Sequence, residues 1–145
     1  MLWVVESDGQ ISAPVDLHPV PGIQSIVEGI SDETADGKVY VAGHLDFQAA
    51  VWVVDVATRS VIDVQLQPDG GGAKAVNAAG EVLVTVSGPA VWTLATGLLE
   101  PLPTLSKQCT SGGGGINNAG TVAGSSGLRA KGRCTTHAVV WTKKP

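Results

Sequence analysis

The chain reads as an all-β repeat protein of the propeller type, and three observations point there. Tryptophan recurs at positions 3, 52, 92 and 141, at intervals of 49, 40 and 49 residues. Each Trp sits in a short apolar run: residues 2–5, 50–54, 90–93 and 138–142. A tight turn ending in glycine recurs in matching register at Ala78-Ala79-Gly80 and Asn118-Ala119-Gly120. A period of about 40–50 residues is the scale of one small β unit repeated, as in a propeller blade.

The elements follow in order. Residues 1–20 form a partial unit: a Trp run, then a turn at Glu6-Ser7-Asp8-Gly9. The first full unit spans about residues 25–66 and predicts strands over 27–31, 39–43, 49–54 and 61–66. The second, about 73–103, predicts strands over 74–77, 81–86, 89–93 and 98–102. The third, about 113–145, predicts strands over 114–117, 121–125 and 137–142. Each unit therefore reads strand, tight turn, strand, loop, Trp strand, turn, strand. Glycine supplies the positive φ that such tight turns demand. A small residue precedes the apolar one in each first strand: Gly29-Ile30, Ala75-Val76 and Gly115-Ile116. Small residues suit the innermost strand of a blade, where neighbouring units crowd together. One count does not close: there are four Trp strands and three of every other kind.

Composition sets the bounds. The chain has 145 residues, enough for one domain with a real core, and is 43% hydrophobic and 15% charged, which excludes a disordered chain. Valine dominates, as suits a pleated and half-buried surface. No amphipathic helical window escapes interruption by Gly or Pro. The formal net charge is −4 with no basic stripe, so no nucleic-acid partner is expected. The one basic cluster, Arg129, Lys131 and Arg133, reads as solvated loop charge. No apolar run reaches the roughly 18 residues of a membrane span. No signal peptide is visible at the start, which leaves a cytoplasmic location or a leader outside this sequence.

The run Gly115-Ile116-Asn117-Asn118-Ala119-Gly120-Thr121-Val122-Ala123-Gly124, with His137-Ala138-Val139-Val140-Trp141 after it, resembles the extracellular HAF-repeat family. That repeat has the form Gly-Ile-Asn-x-x-Gly-x-Val-x-Gly, then a His-Ala-Phe strand ending near a Trp. Val139 stands where the family has Phe, and Ala49-Ala50-Val51 and Pro89-Ala90-Val91 replace the His-Ala-Phe triplet in the other units. The resemblance implies propeller-like blades, an exported protein with an extracellular or periplasmic location, and no enzyme activity.

Three units are too few for a closed propeller, which usually has about 4 to 8 blades. An open arc would bare two apolar sheet faces. At about 400 Å² each, covering them is worth roughly 10 kcal/mol per face at ~25 cal/mol per Å². The expectation is a homodimer giving six blades, or a place within a longer polypeptide. The alternative is a self-closed three-fold monomer, a β-trefoil or β-prism, although no Trp here follows Gln by two residues as in the usual trefoil lectin signature.

Strand alternation puts Cys109 and Cys134 at one end of the third sheet, which predicts a disulfide; two unrelated thiols are the alternative. No pair of His18, His44 and His137 has metal-ligand spacing, no Cys-x-x-Cys or Gly-x-Ser-x-Gly occurs, and the glycine run 112–115 lacks the Lys-Ser/Thr of a phosphate loop. Neither a cofactor nor a metal is implied. The candidate ligand-binding residues lie on loops at one end: His44, Asp46 and Phe47 from the first unit, and Arg129, Arg133 and His137 from the third. Phe47 reads either as a contact residue or as a plug for its own sheet. The four Trp read as core. The function expected is a non-enzymatic β-repeat scaffold or binding module that self-associates. The alternative is a carbohydrate-binding, lectin-like domain with a glycan as partner. Third is a hydrolase built on a propeller, whose paired carboxylates would meet only in three dimensions.

Overall fold

The computed structural model describes residues 1–3, 5, 7–17 and 22–143; Val4, Glu6, His18 and the last two residues, which figured in the sequence reading, lie outside them. Among the described residues there is no helix, and every sheet is antiparallel. The first sheet is β1(Ser25–Ile30), β2(Lys38–Leu45), β3(Gln48–Asp55) and β4(Ser60–Leu66), in chain order. The second is β5(Gly72–Val76), β6(Glu81–Thr85), β7(Pro89–Thr93) and β8(Leu99–Pro101), again in chain order. The third is β9(Ser111–Ile116), β10(Val122–Ala130) and β11(Arg133–Trp141). The third unit, whose sequence shows three strands ending on the Trp run, forms a three-stranded sheet and lacks, among the described residues, the fourth strand of the general repeat plan. No described strand pairs with the outer edge of β11.

The three units share their irregularities as well as their order. The first strand of each carries one extra residue against its partner: Glu28 in β1, Lys74 in β5 and Gly114 in β9. A bulge at the same point of three sheets marks an internal repeat, because the extra residue bends each strand alike. The turn glycines Gly37, Gly80 and Gly120 have φ of 75°, 74° and 74°. A side chain at these positions would force the left-handed region.

Contacts between sheets run through the first strands. A Cβ on Gly29 would lie 3.0 Å from the Lys74 carbonyl oxygen, so β1 lies directly against β5. Lys74 Nζ bonds Glu28 Oε1 at 3.0 Å, joining the bulge residues of neighbouring units. Gly115, the matching glycine of the third unit, has nothing within 4 Å of its Cβ position. The crowding expected at these small residues therefore holds where a following unit is present.

Two apolar layers result. Ala42, Ala49 and Val51 of the first sheet pack with Val76, Val82 and Trp92 of the second. On the other face of the first sheet, Val41, Trp52 and Val54 pack with Leu2, Val15 and Leu17. Residues 2–15 fold back on themselves through bridges Leu2 to Val15 and Val5 to Ile11. This terminal hairpin covers a face that the sequence left bare, which corrects that expectation. Full burial of a large apolar side chain is worth about 1.5–3 kcal/mol, and Trp52 and the three valines packed with it, Val39, Val41 and Val54, are at most 8% exposed. The tryptophan expectation splits. Trp52 and Trp92 are core, Trp141 is half-buried with its indole N–H donating to the Pro103 carbonyl at 2.7 Å, and Trp3 is 55% exposed. Trp3 differs because its hairpin has one sheet beneath it and solvent above.

Candidate functional site

Alternating strand direction gives each sheet two ends of different character. At one end lie the glycine turns, and they are knotted together. Asn77 is almost wholly buried and sits at the centre. Its Oδ1 accepts from the backbone N–H groups of Ala79 and Glu81, at 3.1 and 2.9 Å. Its Nδ2 donates to Glu81 Oε2 at 2.7 Å and to the Asn117 carbonyl at 2.9 Å. Asn118 continues the chain of contacts: its Oδ1 accepts from Ala78 N at 3.0 Å, and its Nδ2 donates to Asp32 Oδ2 at 2.6 Å. Turns from all three units are thus tied in one polar network. Glu81 also pairs with Lys143. Burial works against ionisation of Glu81, but the hydrogen bonds from Lys143 and Asn77 outweigh it and hold the carboxyl below its ordinary range.

At the other end lie the hairpin tips, Asp46-Phe47, Ser87-Gly88 and Lys131-Gly132, together with the inter-unit loops. All the candidate ligand residues belong to the two outer sheets that carry the first and third tips. Asp46 takes a positive φ of 49°. Its backbone N–H donates to the Gln24 carbonyl at 2.8 Å, and its Oδ1 accepts from Gln24 N at 3.2 Å. Its carboxylate is a turn fastener. His44 is half-buried, with Nδ1 3.9 Å from the Cβ position of Gly72 in the second sheet. Phe47 is 92% exposed, which removes the plug reading. A shallow apolar depression of about 470 Å³ adjoins it, lined by Ile23, Leu45, Leu66 and Pro68.

In the third unit, Cys109 and Cys134 are bonded, with Cα atoms 5.8 Å apart. The bridge fastens the loop before β9 to the start of β11. A Cβ on Gly127 would meet Cys109 Cβ at 2.5 Å, so only glycine lets the loop lie this close. Ser126, 1% exposed, accepts from Leu105 N at 2.9 Å and meets Ser111 Oγ at 2.8 Å. Arg129 donates to Gln108 Oε1 at 2.9 Å. Arg133 and His137 are exposed along β11. No hydrogen bond or ion pair joins the first-unit group (His44, Asp46, Phe47) to the third-unit group (Arg129, Arg133, His137) among the described residues. The second sheet stands between them.

Among the described residues no group of three His, Cys, Asp or Glu is placed to hold a metal ion, and no helix is long and apolar enough to cross a membrane. The disulfide is consistent with an oxidising compartment. The buried Asn77–Glu81 pair was not foreseen as a site. Its signal was there in the sequence: Asn77 and Asn117 stand at matching places before their turn glycines. Comparison of the chain with family models, curated proteins and solved structures finds no match.

Proposed function

We propose that the chain is a non-enzymatic β-repeat scaffold of the HAF type. Its sheets stack as propeller blades, and it self-associates to complete a ring of six. An extracellular or periplasmic location accompanies this reading. The observation that carries it is the open end of the array. Gly29 is pressed against the second unit, whereas its counterpart Gly115 has nothing within 4 Å of its Cβ position, and among the described residues no strand pairs with the nine-residue outer edge of β11. Exposed edges of this length are templates for pairing with another chain. Light scattering after size exclusion at micromolar concentration tests it. Twice the mass of one chain is the expected result. A stable, soluble monomer would overturn it.

A second reading, a glycan-binding module, draws on Phe47. A wholly exposed aromatic beside an apolar depression is suited to stacking on the flat face of a sugar or another apolar group. On a glycan array, binding abolished by Phe47→Ala supports this reading. An array without reproducible signal refutes it.

A further inference from the structure

The charges of this chain are segregated, and the segregation fits its open ends. All thirteen acidic residues lie within residues 1–100, against three bases there. Residues 101–145 hold six bases, Lys107, Arg129, Lys131, Arg133, Lys143 and Lys144, and no acid. The third sheet and its tip carry Arg129, Lys131 and Arg133 and no acid, and no described strand pairs with the outer edge of β11. The terminal hairpin and first sheet form an acidic body at the far side of the second sheet.

The two ends are also incomplete in a matching sense. In the first two sheets the Trp strand is followed by a turn and a fourth strand, β4 or β8, paired onto it. The turn residues Arg59 and Gly97 there have positive φ, and so does Gly9 in the terminal hairpin. Residues 11–15, bridged to the Trp3 run, are thus the counterpart of β4 and β8. The hairpin is the outer half of a unit, and the third sheet is a unit without its outer strand. The hairpin shows Trp3, Val5 and Ile11 at 55–69% exposure. The third sheet shows Val140, 65% exposed, opposite the exposed Ala123.

Resting on the self-association proposed above, we infer that the occupant of the open third sheet is the acidic terminal hairpin of a second copy. The contact is head to tail: hairpin of one copy on β11 of the next, closing as a pair when repeated about a two-fold axis. Opposite charge steers the approach and disfavours like ends meeting.

Two variants at exposed positions test this. Ile11→Lys puts a base on the hairpin, and Val140→Glu puts an acid on the third sheet. Circular dichroism and urea midpoints matching wild type establish that each variant folds. Each alone should weaken the dimer by about tenfold or more, a change of roughly 1.4 kcal/mol. Mixed in equal amounts they should dimerise again, since the mixed pair keeps one native hairpin-to-sheet contact. Raising salt from 50 to 500 mM should weaken the wild-type dimer several-fold, as screening shortens the reach of the charges. A wild-type dimer that neither variant weakens, or a mixture that stays monomeric, overturns the head-to-tail inference and leaves self-association standing. A monomeric wild type overturns both. A wild type that remains monomeric and is retained on a polyanion column by the bases of its third sheet assigns that surface to a different partner and likewise overturns the inference.

Discussion

The buried asparagine of the second unit offers the sharpest test of how the units are joined. Asn77 makes four hydrogen bonds and is 2% exposed. Asn117, its counterpart one unit later, uses the same Oδ1 to accept from Ala119 N at 3.0 Å and Thr121 N at 2.9 Å, but its residue is exposed. Truncation to alanine removes the turn bonds in both cases. At Asn117 water replaces the lost partner, and the cost should be about 1 kcal/mol. At Asn77 water has poor access. The N–H of Glu81 loses its partner, the Asn117 carbonyl keeps only the bond from Gly120 N at 2.9 Å, and Glu81 keeps a buried charge with one hydrogen bond fewer. One unsatisfied N–H at ~1–2 kcal/mol and one lost hydrogen bond to a charged group at ~1.5–3 kcal/mol put the loss at about 3 kcal/mol. Asn77→Asp separates the contributions. It retains both accepted bonds, removes both donated ones and sets a second carboxylate against Glu81. It should destabilise strongly at neutral pH, and its deficit should shrink as acid protonates the pair. Urea titrations of the three variants, compared at constant m, measure these differences. Equal losses for Asn77→Ala and Asn117→Ala would refute the argument, because burial is the variable that separates them.

Other outcomes follow from the same structure. The Glu81 carboxyl is held below its ordinary value of 4.5. The stability it contributes is then complete above about pH 4.5 and declines as pH falls through the folded-state value. Urea midpoints of wild type and Glu81→Gln should therefore differ at pH 7 and converge in acid; a constant difference would contradict this. Replacing both cysteines by serine should cost roughly 3 kcal/mol, for a loop closed over a separation of 25 residues. An unchanged midpoint would show that the loop is held by Ser126 and Arg129 instead. Gly43→Ala should unfold or severely weaken the first sheet, since its Cβ would lie 1.9 Å from the Ile26 carbonyl oxygen. A loss below about 1 kcal/mol would mean that β1 and β2 can part without penalty.

Strand content, unit order and the disulfide were legible in the sequence because each rests on local chemistry. Valine-rich runs such as Lys38–Leu45 and Gln48–Asp55 form strands. Gly80 and Gly120 mark turns because other residues are strained there. Cys109 and Cys134 meet because strand direction alternates. What could not be read is what lies across from what. Nothing near Trp3 in sequence distinguishes it from Trp52; only the stacking of sheets leaves one exposed and seals the other. The knot at Asn77 joins residues about 40 apart, and its strength depends on exclusion of water, which no local pattern encodes. The covering of the first sheet by residues 2–17 likewise came from packing. The sequence by itself determined how each unit folds, since backbone conformation and side-chain alternation act over a few residues. Tertiary structure alone decided which faces are buried and which edge stays open, because burial is a property of neighbours brought together from distant parts of the chain.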